Sequence, residues 1–241
     1  MFSKETPSDD PGYYDGLARK ETDKGNHKKA IVYLKKALEI RGSVSSEDDI
    51  MLIRNHHDLG VAYRLKGDMP QAATELEKTV QLCNRYHPEE AGLISESLLH
   101  LAYVNMEMKK NDAAEDCLIR CLKLRKTAKE RNPRELAEVY EAYSTLCAIA
   151  GNQHKRWEYA DLRVVEAKKV VPTDEPLIIA ALFQRAKAEY NHGLFEECEI
   201  TLLECQVRLY SAPDKRMEKD VSDSLRVIDK KIRNKDKKGF F

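Results

Sequence analysis

A small residue recurs every 42 positions along this chain: Ala18, Gly60, Ala102, Ser144 and Ala186. Seven positions after each come Gly25, Gly67, Lys109, Gly151 and Gly193. Five further on lie Ala30, Ala72, Ala114, Arg156 and Cys198, and four beyond those Leu34, Leu76, Leu118, Ala160 and Leu202. Leu17, Leu59, Leu101, Tyr143 and Arg185 precede the small column, and Tyr14, His56, Leu98, Tyr140 and Leu182 stand three positions earlier. A repeat at this period overrides other fold guesses, because each unit is one supersecondary element that must stack to bury its apolar face. The large and small columns share one face of a first helix. The Gly column ends that helix in the left-handed conformation. The Ala and Leu columns put an i, i+4 stripe on a second helix packed antiparallel to the first. Asp68 and Pro70 suit an N-cap and a first turn for one such second helix.

Tyr14, Leu17, Ala18, Gly25, Ala30, Leu34 and Ala37 resemble the tetratricopeptide repeat pattern, and His56, Leu59, Gly60, Tyr63, Gly67, Ala72 and Leu76 repeat it. The resemblance implies an all-α, right-handed α-α superhelix of five helical hairpins over residues 11–212, with units at about 11–52, 53–94, 95–136, 137–178 and 179–212. The usual unit is about 34 residues; a 42-residue unit with ends such as Leu122-Lys123-Leu124-Arg125 is similar to the kinesin-light-chain subtype. The fourth unit departs most, with Arg156, Ala160 and Arg163 in slots that elsewhere hold small or apolar residues. Trp157 and Tyr159 are expected to repack it in a shifted register. Pro88, Pro133, Pro172 with Pro176, and Pro213 mark breaks after second helices, and Gly42–Asp49 separates the first two units. Met217, Val221, Leu225, Ile228 and Ile232 form the stripe of a capping helix over 213–234. Residues 1–10 read as a disordered lead-in and 235–241 as a basic tail.

Charged residues make up 34% of the chain and balance to zero net charge, which argues against a polyanion-binding surface spread over the whole chain. The longest apolar run, Leu177–Phe183, is far short of the ~20 residues a membrane-spanning helix needs. No apolar segment follows a basic start, so no secretory signal is expected. Six cysteines without a compact framework point to reduced thiols and a cytoplasmic setting. Cys121, Cys198 and Cys205 fill small-residue slots and read as core rather than as metal ligands. No P-loop, dinucleotide fingerprint, nucleophile elbow or His-Glu-x-x-His stretch occurs, and neither a cofactor nor catalysis is expected.

Function is therefore expected in the groove that the resemblance implies, lined by the first helix of each unit. Carried onto this sequence, groove positions include Asp15 and Arg19; Arg54, His57, Val61 and Arg64; and Glu96, Leu99, Tyr103 and Met106. Glu138, Glu141 and Thr145, then Phe183, Lys187 and Tyr190, continue the series. The leading part is basic, the middle apolar and aromatic, the next part acidic. That pattern fits a protein partner, an extended peptide or helix with acidic residues around an apolar anchor. His56 belongs to the packing column, whereas His57 is read as a contact residue. Asp15 with Arg19, and His57 with Val61, lack the Lys and Asn of the family's carboxylate clamp. The Asn ladder of kinesin light chains is missing as well. Lys230, Lys231, Arg233, Lys235, Lys237 and Lys238 leave RNA or an anionic surface as the alternative partner. The reading is a non-enzymatic adaptor or scaffold within a cytoplasmic motor or cytoskeletal assembly.

Overall fold

The computed structural model describes residues 9–238, the last four by backbone only. Eleven helices and no strand occur among them: α1 Pro11–Asp23, α2 His27–Val44, α3 Ile50–Lys66, α4 Met69–Tyr86, α5 Ala91–Glu107, α6 Asn111–Thr127, α7 Pro133–Ile149, α8 Gln153–Ala167, α9 Glu175–His192, α10 Phe195–Leu209 and α11 Lys215–Lys238. The second helices start at residues 27, 69, 111, 153 and 195, each 42 after the last. The chain divides into two compact units, one up to Ala128 and one from Lys129 onward. The first holds the hairpins α1–α2, α3–α4 and α5–α6, in which consecutive helices pack and α3 also touches α5. The second holds α7–α8, α9–α10 and the added helix α11.

The turn inside every hairpin uses the same backbone device. Gly25, Gly67, Gly151 and Gly193 have φ of 75°, 90°, 73° and 83°, and Lys109, alone in lacking glycine, is held at 60°. An L-residue pays sterically for that conformation, so the column follows from geometry. Asp49, Asn132, Asn152 and Asp174 accept from backbone N–H groups at the starts of α3, α7, α8 and α9. Asp10 does the same for Gly12, so the last residue of the expected lead-in is the N-cap of α1. Asp68 stands at the N-cap of α4 without a side-chain cap bond, and its carboxylate lies 3.5 Å from Lys66 instead. The expected break at Gly42 comes later, because α2 continues to Val44.

The small column sits where two helices of a hairpin meet. Gly60 shows why: a Cβ there would stand 2.7 Å from Leu76 Cγ. Ala30, Ala72 and Ala114 are fully buried, as are Leu76 and Leu118. In the second unit Val221 and Ile228 of α11 are each 1% exposed and pack into the cluster formed by Leu182, Cys198, Leu202 and Cys205. All six cysteines are buried as thiols rather than disulfides. Burial pushes the Cys83 thiol up to about 11 and those of Cys198 and Cys205 up to about 12. Residues 1–8 of the lead-in, residues 239–241, and the side chains of Lys235, Lys237 and Lys238 lie outside the described residues.

The fourth hairpin keeps its register. Ser144 Oγ donates to Arg156 O at 3.2 Å, and one period later Ala186 O accepts from Cys198 Sγ at 3.2 Å. The expected shift does not occur. The hairpin instead exchanges volume: Tyr143 and Tyr140 replace leucines on α7 while Ala160 replaces leucine on α8. Tyr159 stacks on Tyr143 with ring centroids 4.5 Å apart and on Tyr140 at 6.4 Å.

Candidate functional site: the first-helix faces

In the first unit, the first helices of three successive hairpins line a cavity of about 240 Å³. Asp15 and Arg19 come from α1, His57, Asp58 and Val61 from α3, and Glu96 and His100 from α5. The residues expected on this face separate into two columns four positions apart. Arg19 and Lys187 are exposed, and Val61, Tyr103 and Thr145 are half-buried; this column is open. The other column, Asp15, His57, Leu99, Glu141 and Phe183, is spent on packing. Leu99 and His57 are each 6% exposed and Phe183 is 9% exposed. Asp15 accepts from Arg41 at 2.5 Å and from Asn55 at 2.7 Å. Glu141 accepts from Arg163 at 2.8 Å.

Leu99 therefore does not present a contact surface, and neither does Met106, which is 5% exposed. Both turn toward the neighbouring helices, where removing them from water outweighs availability to a ligand. His57 is corrected likewise. It is buried, with Nδ1 2.8 Å from Ser97 Oγ and Nε2 3.8 Å from Glu96 Oε1. Arg54 is half exposed and donates to Glu90 at 3.1 Å. The Arg64 guanidinium lies 5.7 Å from the centre of the Tyr103 ring. Glu138 and Glu141 are half-buried on α7. The Glu141 carboxylate is engaged by Arg163.

In the second unit a cavity of about 470 Å³ is lined by Phe183, Lys187 and Tyr190 from α9 together with Val227 and Ile228 from α11 and Arg156 from α8. The Lys187 ammonium rests 4.3 Å from the Phe183 ring centre, and Phe195 packs beside Tyr190. These three predicted residues come together, though Phe183 serves as the floor rather than as an exposed contact.

The cluster of His57, Glu96 and His100 was not legible as a group in the sequence. One donor atom from each lies within 4.8 Å of the others. Burial and the nearby Arg64 push the His100 imidazole down to about 4, and the neighbouring His57 ring holds the Glu96 carboxyl below the usual range. Spacing did carry one hint, since Glu96 and His100 stand i, i+4 on one helix face.

An array of antiparallel helical hairpins with a left-handed residue in each turn defines a helical-repeat protein. The tetratricopeptide repeat pattern matches residues 13–85 and again 95–127, which makes the first unit a tetratricopeptide repeat array. Its fold is shared with BtubC (BKLC) from P. vanneervenii, at 16% identity and a TM-score of 0.74 over 83% of this chain and 79% of that one. It is also shared with a Podosopora anserina protein assigned as a kinesin light chain, at 20% identity and a TM-score of 0.69 over 83% and 95% of the two chains. A Rap protein complexed with Competence and Sporulation Factor matches at 12% identity with a TM-score of 0.68, over 91% of this chain and 64% of that one. No curated protein sequence matches the chain significantly. No helix among the described residues is long and apolar enough to cross a membrane.

Proposed function

We propose that the chain is a non-enzymatic scaffold that binds an extended peptide or helix of a protein partner along its first-helix faces. The observation that carries this reading is the cavity of the first unit, walled by first helices from three hairpins and lined by Arg19 together with Asp15, Asp58 and Glu96. Arg19 is exposed in that lining, while Arg54, exposed beside Glu90, and Arg64, held on Tyr103, lie elsewhere on α3. An acidic segment with one apolar anchor suits the arginines of α1 and α3, which favour carboxylates, while Val61 and Tyr103 supply apolar contact; Asp15 is already paired with Arg41. Aromatic and Arg side chains are the usual energetic centres of such interfaces. Fixed charges set orientation and association rate.

The 42-residue unit and the fold shared with the kinesin-light-chain-like protein support membership of that subtype and a place in a cytoplasmic motor or cytoskeletal assembly. The Rap protein complexed with Competence and Sporulation Factor, which shares this fold, supports a binding role.

Panning a random peptide display library against the whole chain tests the reading. Enrichment of acidic peptides with a single apolar residue is expected, with at least a tenfold loss of binding in Arg54→Glu/Arg64→Glu. Enrichment that ignores charge, or binding that the double variant retains, would overturn it.

A further inference from the structure

We propose that His57, Glu96 and His100 form a divalent transition-metal site, with zinc as its representative ion, joining the second hairpin to the third on the wall of the first cavity. The proposal stands apart from peptide binding and rests on coordination geometry. One nitrogen from each imidazole and one carboxylate oxygen converge within 4.8 Å. Two imidazoles and a carboxylate are a donor set that zinc accepts, with bonds of about 2.0–2.2 Å and a fourth position left for an exchangeable group. Tetrahedral bonds of that length put donors about 3.4 Å apart. The His57 Nε2 to Glu96 Oε1 separation of 3.8 Å is close to that. The Glu96 side chain is 56% exposed and free to swing the remaining distance, while that of His57 is 8% exposed and fixed.

The orientation of His57 is the second observation. The Ser97 hydroxyl donates to Leu93 O at 2.8 Å, so its oxygen accepts from His57 Nδ1–H at 2.8 Å. With Nδ1 as the donor, Nε2 is the atom turned toward the Glu96 carboxylate oxygen, and it is the atom that a metal ion would take. A metal ion between the two atoms would take the place of the proton through which His57 holds the Glu96 carboxyl low. An outer hydrogen bond on the far nitrogen of a ligating histidine is the usual support of a metal site. His100 Nδ1 is also buried with no hydrogen-bond partner, a cost that a bound cation or a reoriented ring removes. Arg64 and Arg125 approach His100 and oppose a cation. The carboxylates of Glu96 and Asp58 on the same wall offset them. The fourth position opens on the cavity, where a water or a partner's donor atom completes the shell.

The test is zinc titration of the untagged, chelator-treated full chain against a chromophoric chelator, with Co²⁺ as a spectroscopic probe. One ion per chain is expected, with the visible bands of tetrahedral Co²⁺ and no sulfur-to-metal charge transfer. Glu96→Gln and His100→Gln should each weaken zinc at least tenfold while leaving the circular dichroism unchanged. Ser97→Ala, which removes the outer bond and the hydroxyl's bond to Leu93 O but no ligand atom, should weaken it by about 10–100-fold. Absence of stoichiometric binding, or binding that survives both ligand substitutions, would overturn the assignment.

Discussion

Hairpins α5–α6 and α7–α8 are built on the same frame and filled in opposite ways. The third hairpin places Leu98 and Leu101 on its first helix against Ala114, Leu118 and Cys121 on its second. The fourth puts Tyr140 and Tyr143 on the first helix and reduces the leucine slot to Ala160, with Arg163 where Cys121 stood. The second helices begin one period apart, at Asn111 and Gln153. A repeat thus preserves the volume between two helices and the backbone of its turn, and the residues that fill the volume are exchangeable in compensating pairs.

The largest effect is expected at the buried arginine. Arg163→Cys installs the residue of the third hairpin but removes bonds to Glu141 at 2.8 Å and Gln184 at 2.8 Å. A loss of about 2–3 kcal/mol in denaturant unfolding is expected, given roughly 1.5–3 kcal/mol for a charged hydrogen bond. An unchanged midpoint would mean the slot tolerates either filling without its partners.

Ala160→Leu should cost about 1–3 kcal/mol by overpacking the aromatic stack. Tyr143→Leu in the same chain should recover part of that loss, because the pair then matches Leu101 and Leu118. A double-mutant cycle reads the coupling directly, and strict additivity would sink the idea of exchanged volume.

Glycine replacements sharpen the point at smaller cost. Gly60→Ala drives a Cβ to 2.7 Å from Leu76 Cγ, whereas a Cβ at Gly16 meets nothing within 4 Å. The first should lower the melting temperature, and the second should stabilise by roughly 0.5–1 kcal/mol through helix propensity. The same substitution therefore carries opposite signs in adjacent hairpins. The smallest change expected is Lys109→Gly, which relieves a φ of 60° and should add no more than about 0.5–1 kcal/mol. A lower melting temperature for that variant would show the Lys109 side chain contributing more than its backbone costs.

Most of the frame was legible in the sequence because it depends on sterics that repeat. The Gly column forecasts a left-handed turn, and even the exception, Lys109, adopts it. The stripe of Met217, Val221, Leu225, Ile228 and Ile232 likewise forecasts a helix with one buried face, and Val221 and Ile228 lie at its centre. The candidate surface was only half legible. Periodicity places Asp15, His57, Leu99, Glu141 and Phe183 one turn from Arg19, Val61, Tyr103, Thr145 and Lys187, but it does not say which column a neighbouring helix covers. Leu99 and Met106 were expected outside and are core; His57 was expected to meet a partner and meets Ser97 and Glu96 instead.

The sequence by itself determined the hairpin length, the positions of the turns and the small contacts between helices, since these follow from local backbone sterics and side-chain volume. Only the tertiary structure decided which polar residues are consumed by packing and which stay open. It alone brought His57 to Glu96 and His100 across two hairpins. Those outcomes depend on how successive hairpins lean on one another, and that lean is set by the sum of many contacts rather than by any one column of residues.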